Sequence, residues 1–346
     1  MGKLVFVGLG LGPRGVSLEG MEELRLADAA YLECYTTPHE PTLLADLEKL
    51  SGRRIAAVGR GFVEDGGELL KEAAGRRVAV AVPGDPMVAT THEELRTRAM
   101  AAGIETAVVH AATIGTAAAS ESGLHFYNFS RTVTITREAV GRLTQAYHVL
   151  HGNLLEGAHT LLLLEHDADS GEGVTPSDAV SGLLAAEENF KRGAVGEGTF
   201  ALVISRLGRA DQALRAGRFS ELKGAEFGAP PHSLIVPGRL HFTEADSIAA
   251  VYGVDRGSVR GNSEGAKRTA QTLVPKYVAK TRRALESARP RLDGRYAAVM
   301  ENVELYMKDA ESFLANGEDE MAMLSIGYAE GLLDSLDFSG VLKMEW

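Results

Sequence analysis

The chain has 346 residues, enough for two domains with substantial cores, and its 45% hydrophobic and 24% charged residues are those of an ordinary globular protein. A net charge of −11 argues against direct nucleic-acid binding, because phosphate contacts need clustered Lys and Arg. The single cysteine, Cys34, excludes an intrachain disulfide and points to a reducing compartment.

No apolar run approaches the roughly 18 residues that a membrane span requires. The apolar stretch at residues 4–7 is too short for a signal peptide and runs straight into a glycine loop. A cytoplasmic protein is expected.

Short β-branched runs at residues 4–7, 29–32, 55–58, 78–82 and 106–110 alternate with helical patterns, clearest at 18–26, 43–50 and 90–102. That alternation predicts an α/β fold with a largely parallel sheet. A second set of strands follows at 133–135, 160–164, 200–205 and 234–236. Between two of these a helix opens at Thr175-Pro176, with Thr as N-cap and Pro at the first helical position. Two α/β halves are expected, over residues 1–122 and 123–255.

Residues 256–271 are polar and rich in Gly and Ser, which suggests a linker to a helical domain over 272–346. Val299, Val303, Met307, Ala310 and Leu314 fall at helical spacing, and Asn316-Gly317 closes that helix. Met321, Leu324, Tyr328, Leu332 and Leu336 repeat the pattern, so a helical hairpin is expected. Charge is segregated here. Residues 256–295 hold eleven Lys and Arg against three Asp and Glu, whereas residues 296–346 hold two against eleven. A basic helix packed beside an acidic hairpin accounts for this better than a basic docking surface.

The first strand ends in Val7-Gly8-Leu9-Gly10-Leu11-Gly12-Pro13-Arg14-Gly15, where glycines allow close backbone approach or positive φ. Residues 10–15 fit G-x-G-x-x-G, and Glu33 closes the second strand about 20 residues later, a dinucleotide-binding signature. Pro13 stands against it, since it offers no N–H to a phosphate where the helix should begin. A second site is Pro83-Gly84-Asp85-Pro86-Met87-Val88-Ala89-Thr90-Thr91-His92, directly after a buried strand. Asp85 suits an N-cap with Pro86 as the first helical residue, and the loop also falls where ligands of open α/β sheets collect.

With these blocks, Tyr31-Leu32-Glu33-Cys34-Tyr35-Thr36 and Pro230-Pro231-His232-Ser233-Leu234-Ile235-Val236-Pro237-Gly238 give residues 3–255 a clear family resemblance. The chain resembles the diphthine synthases, in the tetrapyrrole-methylase-like class of S-adenosylmethionine methyltransferases. Residues 273–346 resemble a small archaeal helical family of unknown function, through Phe313-Leu314-Ala315-Asn316-Gly317 and Tyr328-Ala329-Glu330-Gly331-Leu332-Leu333-Asp334.

The resemblance implies two α/β sub-domains of tetrapyrrole-methylase type plus an all-α C-terminal domain, a homodimer, and S-adenosylmethionine as cofactor with S-adenosylhomocysteine as product. It implies cofactor contacts from Leu11, Asp85, Val88, Thr113, Ile114, Leu164, Leu207 and His232. Two residues depart from the family pattern: Thr113 where Ser is usual, which keeps the hydroxyl, and Ser130 where Gly is usual. By residue type alone His232 suits a packed core position, and the leucines, Val88 and Ile114 are ordinary core residues.

The substrate so implied is translation elongation factor 2, methylated successively on the amine of a modified histidine. Each amine still bearing protons must be neutral to attack, which desolvation favours; no residue is assigned as general base. The rival readings are a corrin-precursor methylase on the same fold, a nicotinamide-dependent oxidoreductase using the Gly10–Gly15 loop and Glu33, and a scaffold built on the tail. No metal is expected, since His148-x-x-His151 lacks further ligands.

Overall fold

Leu4 and Phe6 of the first strand pack into one apolar layer, while Val5 and Val7 pack into another. This two-sided burial is what a parallel sheet covered by helices on both faces requires, and it explains why the strands read as continuous apolar runs. A computed structural model describes residues 2–343 except residues 13, 39 and 169.

In the first half, β1 (Lys3–Gly8), α1 (Leu18–Leu26), β2 (Ala29–Glu33), α2 (Leu43–Ser51), β3 (Ile55–Val58), α3 (Arg60–Asp65), α4 (Gly67–Ala73), β4 (Arg77–Val82), α5 (His92–Ala101) and β5 (Glu105–Val109) follow in order. The sheet order is β3-β2-β4-β1-β5, all parallel. Leu24 of α1 and Leu47 of α2 cover one face, and Leu69 of α4 and Leu95 of α5 the other. Neighbouring β1 and β4 thus send their helices to opposite faces, which opens a crevice beyond their C-terminal ends.

The second half runs α6 (Ile114–Ser122), β6 (Val133–Ile135), α7 (Thr144–Glu156), β7 (Thr160–Leu164), a two-residue ribbon β8 (His166–Asp167) and β9 (Glu172–Gly173), α8 (Pro176–Phe190), β10 (Phe200–Ser205), β11 (Ala213–Arg218), α9 (Phe219–Leu222), β12 (His232–Val236) and α10 (Phe242–Tyr252). Its sheet, ordered β11-β10-β12-β7-β6, is mainly antiparallel; only β6 and β7 run parallel. The largely parallel sheet expected over the first set of strands is found in the first half, whereas in the second β10 and β11 form a hairpin. Thr175 caps α8 as its sequence suggests: its hydroxyl accepts from the Asp178 N–H at 3.1 Å, and the Asp178 carboxylate accepts from the Thr175 N–H at 3.0 Å.

One compact unit comprises Met1–Phe190 with Ala194–Glu264, and a second comprises Lys191–Gly193 with Gly265–Trp346. Much of the segment read as a linker is stitched into the first unit. Asn262 accepts from Phe200 N at 3.0 Å and donates to Phe200 O at 2.9 Å and Pro237 O at 2.8 Å, and Val259 is buried.

The second unit is a three-helix cluster of α11 (Thr269–Ala288), α12 (Ala297–Ala315) and α13 (Asp319–Phe338). Basic α11 pairs with the acidic hairpin through Lys280–Glu330 at 3.1 Å, Arg282–Glu311 at 3.0 Å and Arg289–Glu304. Gly317, at φ +80°, ends α12 as the Asn-Gly pair suggests. The expected face of α13 is corrected. Met321, Leu324 and Tyr328 are exposed, whereas Ala322, Ile326, Ala329, Leu333 and Leu336 are buried. Small Ala322 and Ala329 let the helices approach closely, and Tyr328 stacks outside on Tyr306 with ring centroids 5.6 Å apart.

Candidate active site

The glycine loop after β1 and the loop after β4 are joined by a reciprocal pair of backbone hydrogen bonds. Gly10 N donates to Gly84 O at 3.1 Å and Gly84 N to Gly10 O at 2.8 Å. Gly10 does this at φ +69° and Gly84 at φ +79°, a backbone region that costs L-residues with side chains. Close approach also recruits the second half: a Cβ on Gly12 would lie 2.3 Å from the Gly208 carbonyl oxygen. Glycine is needed there because the two halves of the unit touch backbone to backbone.

Behind these loops lies a cavity of about 500 Å³, within the range typical of small-molecule sites. Leu11, Asp85, Val88, Thr113, Ile114, Leu164, Leu207 and His232 all line it. They come from both halves of the unit, so the fold brings together the eight residues that the resemblance assigns to the cofactor.

Asp85 does not cap a helix, contrary to the expectation from Asp85-Pro86, because residues 86–91 form a turn and α5 starts only at His92. Its carboxylate instead ties its own turn to the end of β5: Oδ1 accepts from Met87 N at 3.0 Å, and Oδ2 lies 2.8 Å from His110 Nδ1 and accepts from Ala111 N at 3.2 Å. Burial alone would raise its pKa, but the donors from Met87, His110 and Ala111 outweigh it and hold the carboxyl below its ordinary range.

His232 opens β12 after the Pro230–Pro231 cis peptide. Its Nδ1 lies 2.8 Å from Ser205 Oγ. Burial, aided by the positive charge of Arg206, pushes its pKa down to about 4, so the imidazole is neutral near pH 7. Arg206, in the left-handed region at φ +53°, pairs with Asp211 at 2.8 Å and donates to the carbonyls of Phe227 and Ala229. This fixes the approach to the Pro-Pro-His block.

The family described as Tetrapyrrole (Corrin/Porphyrin) Methylases matches residues 3–223. A diphthine synthase from Methanothermobacter thermautotrophicus is 36% identical over 258 residues, which are 74% of this chain and 98% of that protein. One from Methanocella arvoryzae is likewise 36% identical over 258 residues, 73% of this chain and 100% of its own. The chain belongs to the diphthine synthase family. A crystal structure of a diphthine synthase superimposes with a TM-score of 0.66 at 31% identity, covering 74% of this chain and 98% of that one. A family described as protein of unknown function (DUF357) matches residues 276–342, the helical cluster.

The protein is therefore a methyltransferase, and the oxidoreductase reading fails on family and geometry alike. Glu33 does not line the cavity; buried, it turns its carboxylate back to accept from Tyr35 N at 2.8 Å and Thr36 N at 2.5 Å. Pro13 lies outside the described residues. His148 and His151 pack against the Tyr147 ring, and among the described residues no group of three or more His, Cys, Asp or Glu is placed to hold a metal.

This methyltransferase also lines its cavity with residues that sequence reasoning missed: Tyr35, Arg60, Glu64, Glu165, His166 and Arg209. The Arg60 guanidinium stands 5.0 Å over the Tyr35 ring and pairs with Glu64 at 3.4 Å. A signal was present for some of them. Tyr35 stands two residues beyond β2, Glu165 directly follows Leu164, and Arg209 stands two residues beyond Leu207, all just after strands of the two sheets.

Proposed function

We propose that this chain uses S-adenosylmethionine to methylate the amine of a 3-amino-3-carboxypropyl group on a histidine of translation elongation factor 2. The observation that carries the reading is the convergence of Leu11, Asp85, Val88, Thr113, Ile114, Leu164, Leu207 and His232 on one cavity of matching scale. These residues would hold the cofactor. The fit is physical: Gly10 and Gly12 bring bare backbone to the wall, leucines and Ile114 supply apolar surface, and Asp85, Thr113 and His232 supply polar groups.

When bound, the cofactor supplies an electrophilic methyl group on a sulfonium. The chain's contribution is to position the acceptor nitrogen and to keep it dry. A His232 that stays neutral adds no positive charge beside a cationic donor. Exclusion of water lowers the pKa of an incoming ammonium, so that its proton leaves before attack.

A cytoplasmic homodimer belongs to the same reading, supported by the family resemblance; among the described residues no helix is long and apolar enough to cross a membrane. Light scattering during gel filtration tests the dimer. The function itself is tested by incubating the protein with S-adenosylmethionine and factor bearing the carboxypropyl group. Successive methyl mass steps on that factor, and none on factor lacking the group, are expected. Methylation of a corrin precursor with no change in the factor would replace this substrate with the other.

A further inference from the structure

The cavity walls carry four carboxylates, Glu40, Glu64, Asp85 and Glu165, against two guanidinium groups, Arg60 and Arg209. Arg60 already has Glu64 as its partner at 3.4 Å. Arg209 differs. Among the described residues no carboxylate lies within ion-pairing distance of it, and its one hydrogen bond from the guanidinium goes to the Pro38 carbonyl. Burial pulls its pKa below the ordinary value against the opposing fields of Asp211 and Glu40, with Arg206 adding to the fall. A guanidinium carries five N–H donors, so most of this fork is left for something that enters the cavity.

The backbone presenting Arg209 is fixed. Arg209 N donates to Arg206 O and its carbonyl accepts from Gln212 N, both at 3.1 Å, while Gly208 N donates to the Gln212 side chain at 2.8 Å. Its side chain spans from the loop after β10, where Gly208 meets Leu11 and Gly12, to Pro38 in the segment after β2.

We propose that Arg209 is the specificity-determining residue of the acceptor half of the cavity and receives the carboxylate of the acceptor's amino-acid end. The proposal rests on the acceptor assignment made above. A planar fork meets a carboxylate through two parallel hydrogen bonds. Because that carboxylate and the reacting amine share one carbon, holding the first also aims the second. Glu40, whose field reaches Arg209, and Glu165 on the cavity wall add negative charge that suits the cationic nitrogen each methylation leaves behind.

The test compares full-length wild type with Arg209→Gln and Arg209→Lys, measuring KM and kcat with the modified factor and the Kd of S-adenosylhomocysteine by calorimetry. For Arg209→Gln, KM should rise roughly 10- to 100-fold, the scale of a lost charge-assisted pair, with the Kd unchanged. Arg209→Lys keeps the charge but not the fork and should fall between; it also carries the comparison if Arg209→Gln melts early. An equal loss of S-adenosylhomocysteine affinity would assign Arg209 to the donor and overturn the proposal, as would an unchanged KM. Wild type that binds S-adenosylhomocysteine but leaves the modified factor untouched would instead remove the acceptor assignment itself.

Discussion

His232 Nδ1 and Ser205 Oγ lie 2.8 Å apart across the β12–β10 pair, and this contact holds a neutral imidazole at the cavity wall. In the unfolded chain a histidine takes up its proton near pH 6.5, whereas His232 in the fold waits until about 4. Between those values the unfolded chain binds more protons, so stability falls as pH drops through that window and levels off below it. His92, His159 and His166, each lowered chiefly by burial, act in the same direction. Urea titrations at about pH 7 and about pH 4.5 should show a smaller loss in His232→Asn than in wild type. An equal loss in both would mean that the imidazole already titrates normally in the fold.

Asp85→Ala should weaken S-adenosylhomocysteine binding and lower stability by roughly 1 to 3 kcal/mol, because Met87 N and Ala111 N lose their acceptor in part-buried surroundings. Calorimetry and chemical denaturation separate the two effects. A variant that melts lower but binds normally would make Asp85 a stitch between loops and nothing more.

Gly12→Ala places a methyl 2.3 Å from the Gly208 carbonyl oxygen, so one of the two backbones must retreat. The glycine loop and the loop after β10 should separate, and affinity for S-adenosylhomocysteine should fall more than tenfold, equivalent to about 1.4 kcal/mol, with the far-UV circular dichroism preserved. Normal affinity would show that the cleft tolerates the shift.

Ending the chain at Glu264 should leave a folded unit that binds S-adenosylhomocysteine, whereas ending it at Arg256 removes Val259 and the Asn262 hydrogen bonds to Phe200 and Pro237. The shorter fragment should melt several degrees lower, as the loss of about 1 kcal/mol or more implies. Equal melting temperatures would show that residues 257–264 add nothing to the unit.

Elements whose burial is carried by their own sequence were legible. The strands at 55–58, 133–135, 160–164 and 200–205 coincide with the observed ones, and Thr175 announces α8 by its own capping chemistry. Elements stabilised by a neighbour were not. β11, Ala-Leu-Arg-Ala-Gly-Arg, has no apolar run and exists because β10 pairs with it; α6, Ile-Gly-Thr-Ala-Ala-Ala-Ser-Glu-Ser, offers mostly small residues and no stripe.

The cavity shows the same division. The residues of the Gly-Asp-Pro and Pro-Pro-His blocks are recognisable as family motifs. Arg209 and Arg60 acquire meaning only from what they stand beside. Asp85 misled because Asp-Pro is also how helices begin, and here the turn after β4 delays the helix to His92.

The reciprocal Gly10–Gly84 bonds also bear on the kinetics of ligand exchange. Each glycine has spent its amide on the other's carbonyl, so neither amide is free to hold a ligand, and parting them breaks two hydrogen bonds at once. The Arg209–Pro38 hydrogen bond, by contrast, is made by a side chain that rotates. The Arg209–Pro38 tie therefore opens at lower cost than the Gly10–Gly84 bridge.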